Sequence, residues 1–588
     1  MPKRNLLRLY LPVAAIAAAA RLWVYASWLE SPLRWFHQVP GLDMQTLLEF
    51  GRRLVDGIGL FTLHRTLVAG VWLANGGAHH VECLAAIQCV LGILSALLVT
   101  RITFHLSGKR SWALAAGIVT ALYSPALMYE VTMLQESIVT FAVLLSFAGW
   151  LRARERRFVP VRAVTAGILL GLATIGRPTA LLWAGCAVVF SFPPFRRGSS
   201  IQRGLLVAAG SVGLWLSVGL LNQVHTGSFN PFFNVFPYAA TVNAAPAAPV
   251  SAPPPTEGPE TAPPSPSPSP SWKPLLRIGR NALLRIPLLF CSDEIPDNLN
   301  FYFIRQEIPP LRFLPGPELL IPAAVAGILL LVGSGRILRR EGLVLLIVAT
   351  LAPPLCGLHP VGRYRLLLYP YFAILAVYAF SWMTFPGRLP RRMRIVIGSG
   401  VLVAVFGANQ ALGTGSFLRS TDFVAWGIAA EYPSGRPTAV SMRSFGQALA
   451  RSGGRNQSAA VNLLTRLIGL RQFDAALTLA RRELEVSGVN HSLMHYYAGL
   501  SLLGGGRPAE ASGEFAASRP EEIAPLAGKL HFFRGEAERL RGNKEKAFLH
   551  YRTALSCRLT PELRKRIEEM QGKLISPEKS DTSGFISP

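Results

Sequence analysis

Apolar runs long enough to span a membrane recur along this chain, and clusters of arginine separate them. A helix crosses a bilayer core with roughly 17–25 mostly apolar residues, and only helices or closed barrels satisfy their backbone there. Of the 588 residues, 51% are apolar and 16% charged, against about 25% charged in an ordinary soluble domain. Much of the chain is therefore not built to meet water. The net charge of +26 does not mark a nucleic-acid binder. The basic residues sit in short clusters between apolar runs, as in the cytoplasmic loops of membrane proteins, and form no stripe on a folded domain.

The runs thread with one orientation. Expected spans are 9–29, 81–106, 112–128, 133–151, 161–176, 179–193, 204–222, 316–334, 342–357, 366–385 and 395–412. The basic groups Lys109/Arg110, Arg152–Arg157, Arg196/Arg197, Arg336–Arg340 and Arg388–Arg394 then all fall on the cytoplasmic side. The segments 31–80, 223–315 and His359–Arg365, and the C-terminal part, fall on the other side. Lys3, Arg4 and Arg8 precede the first run, which is long for a signal peptide and lacks a cleavage motif, so it reads as a retained helix. Six scattered cysteines, with no CxxC or zinc spacing, imply neither a disulfide framework nor a zinc site.

Residues 246–270 are dense in proline and read as an extended spacer. After the last apolar run the composition turns charged and alanine-rich. Segments beginning Leu470–Ala475, Gly506–Ala511 and Gly542–Ala547 align at a spacing of 36, each after a helical stretch. They resemble the tetratricopeptide repeat, a helix–turn–helix unit that stacks with its neighbours. The expected fold class is all-α. It comprises a polytopic membrane helix bundle of about eleven transmembrane helices over 1–415, a connector over 416–458, a helical-repeat domain over 459–574 and a disordered tail over 575–588.

Candidate site residues lie at the non-cytoplasmic ends of the spans. Asp43 opens GLDMQTLLEFGRRLVDG, whose apolar spacing predicts an amphipathic interfacial helix. It can cap that helix or serve a site. Glu130 and Glu136 lie in YSPALMYEVTMLQES, six residues apart at a helix mouth. A carboxylate at that depth needs water, a partner or a site; the plain alternative is a solvated loop group or an N-terminal helix interaction. Arg177 in GLATIGRPTALL, and Arg363 and Arg365 flanking Tyr364 in HPVGRYRLLLYPYF, break the positive-inside bias locally. Their guanidinium forks suit a phosphate or snorkel to lipid headgroups.

These segments, in this order, resemble the GT-C superfamily of membrane glycosyltransferases, with a protein O-mannosyltransferase-like (family-39) or RgtA/B/C/D-like core. CSDEIPDNLNFYFIRQEIPPLRFLPGP also looks like the outer loop of bacterial members that carry C-terminal repeats. The resemblance implies transfer of a sugar from a polyprenyl-phosphate donor to a lipid, glycan or protein acceptor, at the non-cytoplasmic face of the inner membrane. It places Asp43 at the catalytic centre, with Glu130 or Glu136 orienting the acceptor or holding a cation. Arg177, Arg363, Tyr364 and Arg365 would then lie on the donor phosphate. No cofactor is required by this reading, a divalent cation is compatible with it, and membrane lipid and a protein partner of the repeats are expected. The chain departs from the family where Leu42 and Met44, not a second acid, flank Asp43, and where LFTLHRTLVAG replaces a stretch rich in proline and tyrosine. The rival readings are a transporter or flippase for a lipid-linked sugar, and a non-catalytic scaffold with a protein-binding tail.

Overall fold

The computed structural model describes residues 3–77, 79–155, 159–192, 201–227, 229–230, 280, 284–335, 340–358, 362–383, 390–411 and 418–575. Among these, every regular element is a helix. The chain divides into two compact units, Met1–Phe417 and Leu418–Pro588. The proline-rich stretch 246–270 and residues 576–588 of the expected tail lie outside the described residues.

The first unit opens with α1 (Lys3–Leu29), α2 (Asp43–Val55), α3 (Leu63–Ala74) and α4 (His80–Ser107). It continues through α5 (Arg110–Leu122), α6 (Ser124–Glu130), α7 (Glu136–Ala153), α8 (Pro160–Gly176), α9 (Leu181–Val189) and α10 (Ile201–Thr226). Then come α11 (Phe301–Glu307), α12 (Pro309–Phe313), α13 (Pro317–Gly333), α14 (Leu343–Leu358), α15 (Gly362–Arg365), α16 (Tyr369–Trp382) and α17 (Arg391–Ala411). Each apolar run of the sequence is helical over most of its described residues. By length and composition, however, six helices among the described residues are able to cross a membrane, or seven if α5 and α6 form one bent span. The shortfall from about eleven has local causes. Pro178 starts a separate 3-10 turn ahead of α9, α14 contains Pro353 and Pro354, and α16 has only 14 residues.

The break between α5 and α6 bends the run by 54°. Pro125 has no N–H to offer the carbonyl of Ala121. Arg21 of α1 donates to that oxygen instead, at 3.1 Å, and the N–H of Ser124 turns to Pro315 O at 2.9 Å. Elsewhere the helices meet through small residues. A Cβ on Gly167 would lie 2.1 Å from Val207 O, and one on Gly327 would lie 2.0 Å from Leu375 O. Glycine is therefore required where α8 crosses α10 and where α13 crosses α16, as is common between helices packed in lipid. On the outside, Leu216, Leu220 and Val224 of α10 and Val396 and Val403 of α17 are exposed, the polarity expected of lipid-facing surfaces.

The second unit consists of consecutive helix pairs: α18 (Ser420–Glu431) with α19 (Ala439–Ser452), and α20 (Gln457–Gly469) with α21 (Phe473–Leu484). They are followed by α22 (His491–Gly504) with α23 (Pro508–Ala517), α24 (Ala527–Leu540) with α25 (Lys544–Ser556), and a closing α26 (Pro561–Ile575). The segment expected to be a connector supplies the first pair. Phe423, Val424, Trp426, Phe445 and Leu449 are buried, and Thr438 caps α19 by accepting from Ser441 N at 3.0 Å. The register of the second pair also differs by one residue from the expected alignment. The left-handed turn positions are Arg471, Gly506 and Gly542, and the alanines buried five residues later are Ala476, Ala511 and Ala547. Leu470 and Ala475 are exposed.

Candidate active site

Asp43 is the first residue of α2, not its cap. The N-cap is Leu42, in extended conformation, and no side chain caps the helix. The expected capping role is thereby corrected, although a carboxylate in the first turn still favours the helix dipole. α2 buries Met44, Gly51 and Leu54, and a Cβ on Gly51 would lie 2.3 Å from Val68 of α3. This close seat leaves the Asp43 side chain 44% exposed, with Oδ2 at 2.5 Å from NH1 of Arg363.

Arg363 lies 320 residues away in sequence, in the single turn of α15. Its side chain is only 12% exposed and faces three carboxylates. Besides Asp43, Asp297 Oδ2 lies 2.7 Å from Nε and Glu136 Oε1 lies 4.0 Å from it. NH2 donates to the Tyr364 hydroxyl at 3.2 Å. Burial pulls the pKa of this guanidinium down. Glu136, Tyr364, Asp297 and Asp43 outweigh it and push the group above the ordinary arginine range.

Glu136 is the first residue of α7 and is 2% exposed. Its Oε1 lies 3.5 Å from NH1 of Arg177, and its Oε2 is buried without a hydrogen-bond partner. Arg177 follows α8 in extended conformation, because Pro178 disfavours helix at that residue. Its guanidinium lies 4.1 Å above the Tyr364 ring, within cation–π range. Asp43, Glu136, Arg177, Arg363 and Tyr364 thus converge, although they come from four separate parts of the chain.

Two expected members do not join them. Arg365 is buried on another side of α15, since residues two apart on a helix do not face the same way. It donates from NH1 to Cys291 O and from NH2 to Asp293 O, each at 2.5 Å, and pairs with Glu294 at 2.6 Å. Its role here is to hold the 291–295 segment, to which NH1 and NH2 are both committed. Glu130 ends α6 and pairs with Arg21 at 2.7 Å, both side chains being almost fully buried. Gly92 makes room for this pair, since a Cβ there would lie 2.1 Å from Glu130 Oε1. Arg21 stood alone in the first apolar run, a recognisable signal of a buried partner. Asp297 had a weaker signal, as one acid among several in CSDEIPDNLN.

Among the described residues, no group of three or more histidine, cysteine, aspartate or glutamate side chains is arranged to hold a metal ion. In the cluster, Asp43 and Glu136 face guanidinium groups, and Asp297 shares one of them. Chemically the arrangement offers two cations able to meet an anionic group, and beside them a half-exposed carboxylate that a hydroxyl can approach. No family model and no curated protein matches the chain.

Proposed function

We propose that the protein is a membrane glycosyltransferase of GT-C type, moving a sugar from a polyprenyl-phosphate donor to an envelope acceptor at the non-cytoplasmic face of the inner membrane. The observation that carries this reading is the meeting of Asp43, on the amphipathic helix after the first span, with Arg363, which Glu136 and Tyr364 link to Arg177. On this reading the shorter apolar helices also cross, giving about eleven spans, and the arginine clusters put the helix pairs of the second unit outside. Those pairs act as tetratricopeptide-like repeats that bind a protein partner.

The chemistry is a displacement at the anomeric carbon. Asp43 takes the proton of the acceptor hydroxyl as its oxygen bonds to that carbon. The bond from the carbon to the phosphate oxygen breaks, and the electron pair leaves with the polyprenyl phosphate. Arg363 and Arg177 stabilise the charge developing on that phosphate. Glu136 holds Arg177 and Arg363 in place, and Tyr364 supports both. A lipid-borne donor suits a site at the membrane face, where it is already concentrated.

Asp43→Asn preserves the shape of the residue and removes the base. Transfer should fall about 10²- to 10⁴-fold, with normal insertion, and the lipid-linked sugar should accumulate in mass spectra of cell extracts. Undiminished transfer would remove Asp43 from the mechanism. The competing reading, a transporter for a lipid-linked sugar, draws support from the buried Arg21–Glu130 pair between α1 and α6. Movement of labelled lipid across vesicles by the Asp43→Asn variant, with no transfer by wild type, would favour it.

A further inference from the structure

Each nitrogen of Arg363 faces a neighbour, and NH1 and NH2 hydrogen-bond to theirs. NH1 meets Asp43, NH2 donates to Tyr364, and Nε lies against Asp297. A phosphate that makes the two-point contact arginine favours through the NH1 edge comes up against the Asp43 carboxylate already there.

Two of them are anchored. Asp297 extends from a segment tied down at several points. Arg365 binds Cys291 O, Asp293 O and Glu294, while Glu294 N donates to the Tyr302 hydroxyl at 2.9 Å. Gly362 N, next to Arg363, donates to Ile295 O at 2.9 Å. Ser292 donates through both N and Oγ to Asn409 Oδ1 at 2.8 Å. Tyr364 is the chain neighbour of Arg363, and its ring lies under Arg177. Asp43 stands on the first turn of α2, at its outer end. It is the most exposed of the carboxylates, at 44% against 28% for Asp297 and 2% for Glu136, and the start of its helix has no side-chain cap.

We propose that Asp297 and Tyr364 are the fixed partners of Arg363 and Asp43 the exchangeable one, so that the phosphate of the donor takes the NH1 edge and releases the Asp43 carboxylate. This rests on the transferase reading above. Held 2.5 Å from NH1 of Arg363, the Oδ2 oxygen is turned to the guanidinium and not to an acceptor. Once released, it is available to the acceptor hydroxyl. The ion pair therefore orders the reaction: the base is armed only when the donor is in place, which guards against acceptor activation in an empty site.

The test is binding, not turnover. Full-length protein in lipid nanodiscs is titrated with a long-chain polyprenyl phosphate and, separately, with inorganic phosphate. Asp43→Asn removes the competing charge, and the lipid probe should bind about three- to tenfold more tightly even though this variant is inactive in transfer. Asp43→Ser should do the same, which separates loss of charge from any defect special to asparagine. Asp297→Asn, whose edge is not contested, should change affinity less than either. Tightening for the lipid alone identifies a lipid headgroup as the displacing group, whereas tightening for both probes shows that phosphate suffices. If wild type binds and Arg363→Gln does not, but neither Asp43 variant tightens binding, the exchange is refuted and the transferase reading stands. If wild type does not bind the lipid probe, or Arg363→Gln binds it equally well, the transferase reading falls and the exchange with it.

Discussion

Both ring nitrogens of His64 are buried without a hydrogen-bond partner. Burial, with a smaller contribution from Arg65, lowers the pKa of His64 from 6.5 to about 4. The folded protein thus disfavours its protonated form. Between these two values the unfolded chain binds more protons, so this contribution is intact above pH 6.5 and is lost as the pH falls toward 4. His64→Leu should unfold at a temperature no lower than wild type at neutral pH, since a buried polar group without a partner is a cost. It should also lose less stability on acidification. Thermal unfolding in detergent at about pH 7.5 and about pH 5 checks both, and an unchanged acid response would exonerate His64. The candidate site was partly legible at this scale. Charges out of place at helix mouths pointed to Glu136, Arg177 and Arg363, because burying a charge needs a reason, whereas Asp43 drew attention as the start of an amphipathic helix and through the family resemblance. Arg365 carried the same signal for a different reason. The sequence does not reveal which way each arginine leaves a one-turn helix.

At the level of elements, hydropathy locates the helices of the first unit well, since apolar runs are their cause. What it does not reveal is continuity. The turn between α5 and α6 depends on Pro125, but its angle depends on Arg21 and on Pro315, which come from distant parts of the chain. The helix pairs give a similar lesson in register. Glycine marks the left-handed turn at Gly506 and Gly542, while the equivalent position is Arg471, with φ of 59°. A non-glycine residue conceals the turn, and the alignment slips onto Leu470. Arg471→Gly should relieve the strain of that conformation, stabilising the α20–α21 pair by about 0.5–1 kcal/mol. Hydrogen exchange in the full-length protein should slow across 473–484. Faster exchange there would mean that the arginine side chain contributes more than the backbone conformation costs.

For the whole molecule, composition places the change from apolar to charged chain near residue 415, close to the boundary at Phe417. The first pair of the second unit was less legible because 416–458 lacks the alanine spacing of the later turns. If the second unit recruits and the first catalyses, truncation after Thr414 should leave transfer to a small soluble acceptor within about twofold of wild type and abolish transfer to the native acceptor. An inserted core inactive toward every acceptor would show that the two units do not divide the work in this way. The packing within the pairs has a consequence for how such a tail diversifies. Gly427, Gly499 and Gly535 receive the rings of Phe445, Phe515 and Tyr551 from the second helix of the same pair. In the α20–α21 pair the positions matching Gly499 and Phe515 are Leu464 and Ala480, both fully buried, with large and small reversed. A recombination joining α20 to α23 would confront leucine with phenylalanine, and one joining α22 to α21 would leave glycine opposite alanine, so one product is overfilled and the other hollow. Crossovers between pairs avoid both faults, making the hairpin, not the single helix, the smallest heritable block of this tail.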